Sequence, residues 1–285
     1  MEAERVLVIG AGGFIGNHLL RFLRSQAGVE VAAIDLVSPS EGDTQIHWYG
    51  GNARDRNFLH RVMDEVQPTK IVHLVGILHA DSLSELMDVN VGAAQTLLDT
   101  MLVAGLLSTK VLLIGSAAEY GVPEKNPVAE DHPTRPVSPY GLTKLFQTQL
   151  GQFYFRNYGL SVVVARPFNI DGEGISTDLS VGSWRKQIAE AEDGSSIQVG
   201  TLRSVRDYLP VHDAVEALWY ALTYGVPGEV YNVCSGQGIK MADVLKRLIE
   251  DSGKNIKIEL DETRLKPNEV PVVYGCADKL AQLRP

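Results

Sequence analysis

The stretch Val6-Leu-Val-Ile-Gly10-Ala-Gly-Gly13-Phe-Ile-Gly16-Asn-His-Leu-Leu20-Arg-Phe-Leu23 decides the fold. Its first four residues form a short, continuous apolar run. Phe14, Ile15, Leu19, Leu20, Phe22 and Leu23 then recur at the spacing of a helix face. Between them the glycines follow G-x-x-G-x-x-G, one residue longer than the G-x-G-x-x-G of most dehydrogenases. The chemistry is the same. Glycine permits the tight turn, lets the backbone approach a pyrophosphate and lets helix pack close on strand. The helix start supplies unpaired N–H groups and the positive end of its dipole. Gly10, Gly13, Phe14, Ile15 and Gly16 are therefore expected to line a dinucleotide.

Outward from this unit the same rhythm continues. Apolar runs over 29–36, 71–75, 111–115 and 160–165 read as strands, and 58–66, 91–105 and 140–158 as helices. Strand and helix in alternation mean βαβ units and a parallel sheet covered on both faces. Right-handed crossovers turn this into an α/β, Rossmann-type doubly wound sheet. Five prolines between Pro123 and Pro139 interrupt the pattern before the last of these helices. After Arg166, Gly172, Gly174, Gly182, Gly194 and Gly200 punctuate short segments. The expected division is a dinucleotide-binding domain of residues 1–169 and about 206–235, and a smaller C-terminal substrate lobe of about 170–205 and 236–285. Further helices are expected over 181–192, 213–222 and 242–251, and a strand over 230–233.

Composition sets the boundaries. The 285 residues are 45% hydrophobic and 21% charged, ordinary globular values. With 26 Lys and Arg against 35 Asp and Glu, the net charge is −9, which argues against nucleic acid or an anionic membrane as partner. An anionic ligand must then be held by a few local cations. No apolar run approaches the roughly 20 residues that span a bilayer. Residues Met1 to Arg5 carry two Glu and lead straight into a strand, without the pattern of a secretory signal. Cys234 and Cys276 lack metal-ligand spacing, so no metal is expected, and both read as buried small hydrophobes. The expectation is a cytoplasmic protein.

Asp35 ends the second strand, 19 residues after Gly16. A carboxylate there can accept from both ribose hydroxyls of NAD and repels the extra phosphate of NADP, so NAD is the expected cofactor. Its other reading is a helix cap or solvated strand end. Asn52, after a third strand-like segment, is placed to meet adenine. Tyr140-Gly-Leu-Thr-Lys144 opens a helix with residues i and i+4 on one face. A phenol titrates near ~10. A neighbouring Lys⁺ and an oxidised nicotinamide are expected to lower that value together, and the same Lys to hydrogen-bond the nicotinamide ribose. Ser116, 24 residues earlier at a strand end, can hydrogen-bond a carbonyl while Tyr140 passes or takes its proton.

These residues together resemble the extended short-chain dehydrogenase/reductases that act on nucleotide sugars. The resemblance covers nearly the whole chain. It rests on residues 10–16, Asp35, Asp-Val-Asn90-Val-Gly, residues 116–121, residues 140–144, Arg166-Pro-Phe-Asn169, Val205-Arg-Asp-Tyr208 and Tyr231-Asn-Val-Cys-Ser-Gly236. It implies a catalytic set of Ser116, Tyr140 and Lys144 with hydride transfer at the sugar C4. It adds Leu74 and Asn90 to the cofactor contacts and gives Asn169 and Arg206 to the substrate pyrophosphate. Arg206 suits that role as a local cation that binds phosphate bidentately; its alternative is an ion pair with Asp207 or Asp213. Within the family, the 4-keto-6-deoxy-sugar reductases, such as the GDP-6-deoxy-D-mannose reductases, are most similar. The segment Arg264-Leu-Lys-Pro-Asn-Glu-Val-Pro271 adds Arg264 as a phosphate contact.

Ala117 and Ala118 stand where the family's 4,6-dehydratases place acidic residues. The leading expectation is therefore reduction of an NDP-4-keto-6-deoxy-hexose. The alternative is an NDP-sugar 4-epimerase with retained NAD, toward which Asp35 leans. A catalytically silent NAD(P)-binding subunit is disfavoured by the intact Ser116, Tyr140 and Lys144. Stripes of Val91, Ala94, Leu98, Met101, Leu102 and Gly105, and of Leu142, Phe146, Leu150 and Phe153, either pack on the sheet or, as the family implies, form the four-helix contact of a homodimer.

Overall fold

The computed structural model describes residues 3–38, 45–265 and 269–283. Lys266, Pro267 and Asn268 of the expected phosphate-contact segment lie outside the described residues, as do the two residues at either end. In chain order the first strands are β1 (Glu4–Ile9), β2 (Val29–Asp35), β3 (Ile46–Gly50), β4 (Lys70–His73), β5 (Lys110–Ile114) and β6 (Val162–Pro167). Four short strands follow: β7 (Asn169–Asp171), β8 (Ser196–Val199), β9 (Val205–Arg206) and β10 (Tyr208–Pro210). Then come β11 (Val230–Val233), β12 (Ile239–Lys240), β13 (Lys257–Leu260) and β14 (Val272–Val273). The main sheet has seven parallel strands in the order β11-β6-β5-β4-β1-β2-β3.

The helices are α1 (Phe14–Arg24), α2 (Arg56–Val66), α3 (Leu83–Met87), α4 (Ala93–Val103), α5 (Pro139–Tyr158), α6 (Ser180–Glu190), α7 (Val211–Tyr224), α8 (Met241–Ser252) and α9 (Asp278–Ala281). The sheet buries both faces, so its strands read as unbroken apolar runs while alternate residues serve opposite layers. Val6 and Val8 of β1 pack with Leu19 and Leu23 of α1 and Leu218 of α7. Leu7 and Ile9 pack with Leu59 of α2, Leu97 of α4 and Tyr154 of α5. A separate core of Trp184, Ile188, Ile197, Val199, Met241 and Leu245 lies between α6, β8 and α8.

Two departures from the sequence reading have physical causes. The strand expected over 71–75 stops at His73, because Leu74 and Val75 run against the glycine turn: a Cβ on Gly10 would lie 2.9 Å from the Val75 nitrogen. The helix expected from residue 91 begins at Leu83 behind the Ser82 cap, whose side chain accepts from the Glu85 N–H. It passes through a wider π-helical turn at Asp88–Gly92 before α4. Such an insertion re-aims side chains without ending the helix.

The layer of α6, β8 and α8 is tied down by side chains. Lys254 donates to the carbonyls of Ile188 (2.8 Å), Ala189 (3.0 Å) and Ala191 (2.9 Å), which satisfies the C-terminus of α6. The Gln187 amide donates to the Gln198 carbonyl (3.1 Å) and accepts from its N–H (2.8 Å), so it serves β8 as a neighbouring strand would. Among the described residues no helix is long and apolar enough to cross a membrane, and no group of three or more metal-type ligands occurs. Cys234 is buried, as expected, while Cys276 is only partly so.

His73 at the end of β4 is fully enclosed, and neither ring nitrogen has a hydrogen-bond partner. Burial, and then the charge of Lys144, lower its pKa to about 3. The unfolded chain therefore takes up a proton near pH ~6.5 that the folded chain refuses until about 3. Stability from this group is present above pH ~6.5 and falls on acidification at about 1.4 kcal/mol per pH unit. Urea unfolding at pH 7 and pH 5 should show a smaller acid loss for His73→Leu than for the wild type. An equal loss in both proteins would remove His73 from the account.

Candidate active site

The glycine turn is built for close approach. Gly10 has φ +83°, a conformation that a side chain would strain, and a Cβ on Gly16 would lie 2.4 Å from the Ala11 carbonyl oxygen. Gly13 caps α1 with no side-chain partner and no acidic residue in the first turn. The α1 N–H groups are thus left for an anion. Asn17 fastens the turn by donating to the carbonyls of Gly12 (2.8 Å) and Gly13 (3.0 Å).

Asp35 braces the turn from β2. Its carboxylate accepts from the N–H of Gly12 and of Leu36, each at 2.7 Å. Each oxygen keeps a lone pair for a ribose hydroxyl. The cap reading of Asp35 is thus partly met, by the loop rather than by a helix. Phe14 and Ile15 pack partly into the core, and Phe14 stands edge-on to His18 at 5.6 Å. The Leu74 N–H continues the β1 pairing to the Ile9 carbonyl (2.8 Å). The Asn52 side chain accepts from the Arg54 N–H (2.9 Å) and closes its own turn. This uncapped helix start, the glycine-rich turn and the carboxylate beside it fit a dinucleotide.

Ser116, Tyr140 and Lys144 meet where β5 ends against α5. Ser116 caps the turn Ala117–Glu119 and accepts from the Ala118 N–H (3.1 Å), which leaves its own proton to donate. Ser138 caps α5 by accepting from the Gly141 N–H (3.1 Å), with Pro139 at the first helical position. A Cβ on Gly141 would lie 2.5 Å from the Ala118 carbonyl oxygen, so the start of α5 is pressed onto the Ser116 turn. One turn on, buried Lys144 donates to the Ile114 carbonyl (2.7 Å) and to Gln147 Oε1 (2.8 Å). Asn90 braces this layer: it accepts from the Ile77 N–H (2.8 Å) and donates to the Ile77 carbonyl (3.0 Å) and Thr143 Oγ1 (2.9 Å).

In the protein alone the Tyr140 phenol is pushed up to about 12: burial dominates, the Ser116 hydroxyl opposes it and the Glu119 charge adds to it. Lys144 is brought down to about 8 by burial, against the attraction of Glu119. At neutral pH the phenol thus carries its proton and the lysine its charge.

Glu119 is a residue that the motif reading passed over, although Ser-x-x-Glu from Ser116 is a capping-box spacing. It is fully buried, accepts from the Ser116 N–H (2.8 Å) and pairs with the Arg166 guanidinium (2.8 Å).

At the start of β7, just past the end of β6, Asn169 donates to the Asp207 carbonyl (2.9 Å), which puts it next to Arg206. Arg206 pairs with Glu269 (3.3 Å), 63 residues away, rather than with Asp207 or Asp213. Asp207 is fully buried and takes up the N–H and hydroxyl of Ser235 (each 2.7 Å) and the N–H of Gly236 (3.0 Å) and Gly275 (3.2 Å). Asp213 lies beside His212 (3.1 Å). Arg264 pairs with Asp261 (3.0 Å) and reaches Ser183 of α6 (3.3 Å), so it is anchored apart from Arg206.

A model of the NAD dependent epimerase/dehydratase family matches residues 6–234. The UDP-glucose 4-epimerase of Azospirillum brasilense is 28% identical, over 98% of this chain and 86% of its own. The GDP-6-deoxy-D-mannose reductase of Pseudomonas aeruginosa is 29% identical, over 97% and 90%. The crystal structure of the Thermus thermophilus UDP-glucose 4-epimerase in complex with NAD superposes with a TM-score of 0.86 at 26% identity, covering 99% of this chain and 94% of that one.

The Asp35 geometry generates a test. Asp35→Asn keeps an oxygen for the Gly12 N–H but loses the charge that repels a 2′-phosphate. NADH should bind about tenfold more weakly, the scale of a charge-assisted hydrogen bond, and the preference over NADPH should narrow. Fluorescence titration with both cofactors reads this, and an unchanged preference would remove Asp35 from cofactor selection.

Proposed function

The chain belongs to the NAD dependent epimerase/dehydratase family, as an NAD(P)-dependent enzyme of nucleotide sugars, and we propose that it reduces the C4 carbonyl of an NDP-4-keto-6-deoxy-hexose. The observation that carries this reading is the turn after β5. Ser116 is followed by two alanines, and the turn's own carboxylate, Glu119, is turned inward onto Arg166. Dehydration across C5–C6 needs an acid and a base at that place, and Ala117 and Ala118 supply neither. Reduction needs a proton donor beside the carbonyl, and the Tyr140 phenol, at about 12, is one.

When bound, the reduced nicotinamide supplies the hydride to C4. Ser116 donates a hydrogen bond to the C4 oxygen, and Tyr140 gives that oxygen its proton, so the ketone becomes a secondary alcohol. Lys144, cationic below about pH 8, lies on the same helix face and steadies the phenolate that is left. Arg206 and Asn169, joined through the Val205–Asp207 backbone, receive the diphosphate, with Arg206 exchanging Glu269 for it. Arg264 is a further phosphate contact. The likeness to the Pseudomonas aeruginosa reductase over 97% of the chain supports the same direction. The epimerase reading draws on the Asp35 carboxylate and on the Azospirillum brasilense relative.

The two readings separate by cofactor balance. A reductase consumes one NADH per sugar and the 340 nm absorbance falls; an epimerase leaves it flat while converting an NDP-hexose to its C4 epimer. With GDP-, dTDP- and UDP-4-keto-6-deoxy-hexoses we expect a falling trace for at least one. Tyr140→Phe should cut turnover by about 10²–10⁴ while NADH still binds; wild-type turnover in that variant overturns the mechanism.

The reading includes a cytoplasmic homodimer. Ala94, Leu98 and Met101 of the expected α4 stripe are buried against the sheet, so that part packs inward. Met87, Val91, Phe146, Leu150 and Phe153 instead line an open groove of about 620 Å³, with Phe146 and Phe153 40% and 43% exposed. An apolar helix face of this kind suits a two-fold contact between copies. Light scattering should give a dimer for the wild type and a monomer for Phe146→Glu; a wild-type monomer at micromolar concentration contradicts it.

A further inference from the structure

Glu119 sits between the elements that carry the reacting groups. Oε1 accepts from the Ser116 N–H (2.8 Å) and from Thr148 Oγ1 (3.0 Å), and Thr148 is one helical turn beyond Lys144 on α5. Oε2 faces the other way, onto Arg166 Nε of β6 at 2.8 Å. The room is tight, since a Cβ on Gly115 would lie 2.4 Å from Oε1. Arg166 is held from behind: Nη1 donates to the Tyr120 hydroxyl (3.2 Å), the guanidinium lies over the Tyr120 ring (4.9 Å), and that hydroxyl donates to Asn232 Oδ1 (2.7 Å). The carboxylate thus has one oxygen toward the site and one toward its counter-ion.

A buried ion pair is a poor source of stability, because an apolar pair of the same volume often does as well. What an apolar pair lacks is a fixed negative charge on the site side. We infer that Glu119 is a positioning residue for proton transfer: it locks the Ser116 turn to α5 and provides the buried counter-charge that keeps Lys144 cationic. The inference rests on the roles given above to Ser116, Tyr140 and Lys144. Burial raises the Glu119 carboxyl, and the Arg166 charge, the Ser116 N–H and Thr148 oppose that rise and hold the ionised form. The Glu119 charge in turn raises the proton affinity of both Lys144 and Tyr140, while His73 of β4, which also faces Lys144, is held neutral by burial. Lys144 has no carboxylate among its hydrogen-bond partners, which are the Ile114 carbonyl and the Gln147 amide oxygen. Its charge therefore depends on a negative group at one remove.

The test removes the charge and watches Lys144. Glu119→Gln is the isosteric variant; because it strands Arg166, the double variant Glu119→Leu with Arg166→Met serves as the folded apolar replacement, checked by thermal unfolding. The ¹³Cε signal of Lys144, identified by its loss in Lys144→Met, reads its titration directly by NMR without substrate. We expect the midpoint to fall in Glu119→Gln, and by less in the double variant, which removes the Arg166 cation as well, and the alkaline limb of kcat/KM for the ketosugar that turns over with NADH to fall with it. Thr148→Val, which keeps the charge, should leave the midpoint in place. A folded charge-removing variant with the wild-type Lys144 midpoint overturns the inference. Failure of the catalytic reading shows elsewhere, as a Tyr140→Phe variant with wild-type turnover.

Discussion

The parallel pairing of the seven main strands is the constraint from which the rest follows. When every strand points the same way, every connection that leaves a strand end emerges on one edge of the sheet. Gly10, Asp35, Ser116 and Asn169 come off or close the ends of β1, β2, β5 and β6, residues far apart in sequence that one edge collects. The order reverses between β1 and β4, where chains depart to opposite sides and leave a crevice. Glycine at position 10 is what that crevice demands, since the backbone of Leu74 and Val75 closes on it from β4.

Legibility followed burial. Strands covered on both faces write themselves as apolar runs, and 230–233 was readable to the residue. The glycine turn, Asp35 and the Tyr-x-x-x-Lys helix were readable because their spacing is local. The small strands β7 to β10 and β12 to β14 have two to four residues each, too few for a period, and they pair with strands distant along the chain, as β13 does with β8. The partner of Arg206 is 63 residues away, and no local pattern names it. The rise in the proton affinity of Tyr140 that burial causes in the protein alone was not legible, because a motif shows neighbours but not enclosure. Glu119 lay in view as a capping box, but only the fold shows that its carboxylate is buried.

Charge is treated unevenly across the site. A molecule of net −9 keeps its site cations few and places them with care. Arg206 is met by a carboxylate directly, so an anion that reached it would exchange with a like group. Lys144 is met by neutral oxygens, and its charge is left responsive to its surroundings. The first arrangement suits holding and the second suits proton chemistry, where a small change in field must alter protonation.

Asp207 carries a consequence for modularity. Its carboxylate gathers the turn after β11 and the Gly275 N–H onto the bend between β9 and β10. Segments that are distant along the chain thus share one knot, and the structure around Asp207 is no contiguous cassette. A chimera that takes residues 170–210 from a relative would replace Asp207 with the donor's residue while Ser235, Gly236 and Gly275, the groups that bond to it, stay with the recipient. Substrate range in such a scaffold is altered piecemeal, by changes that respect the knot, rather than by wholesale exchange.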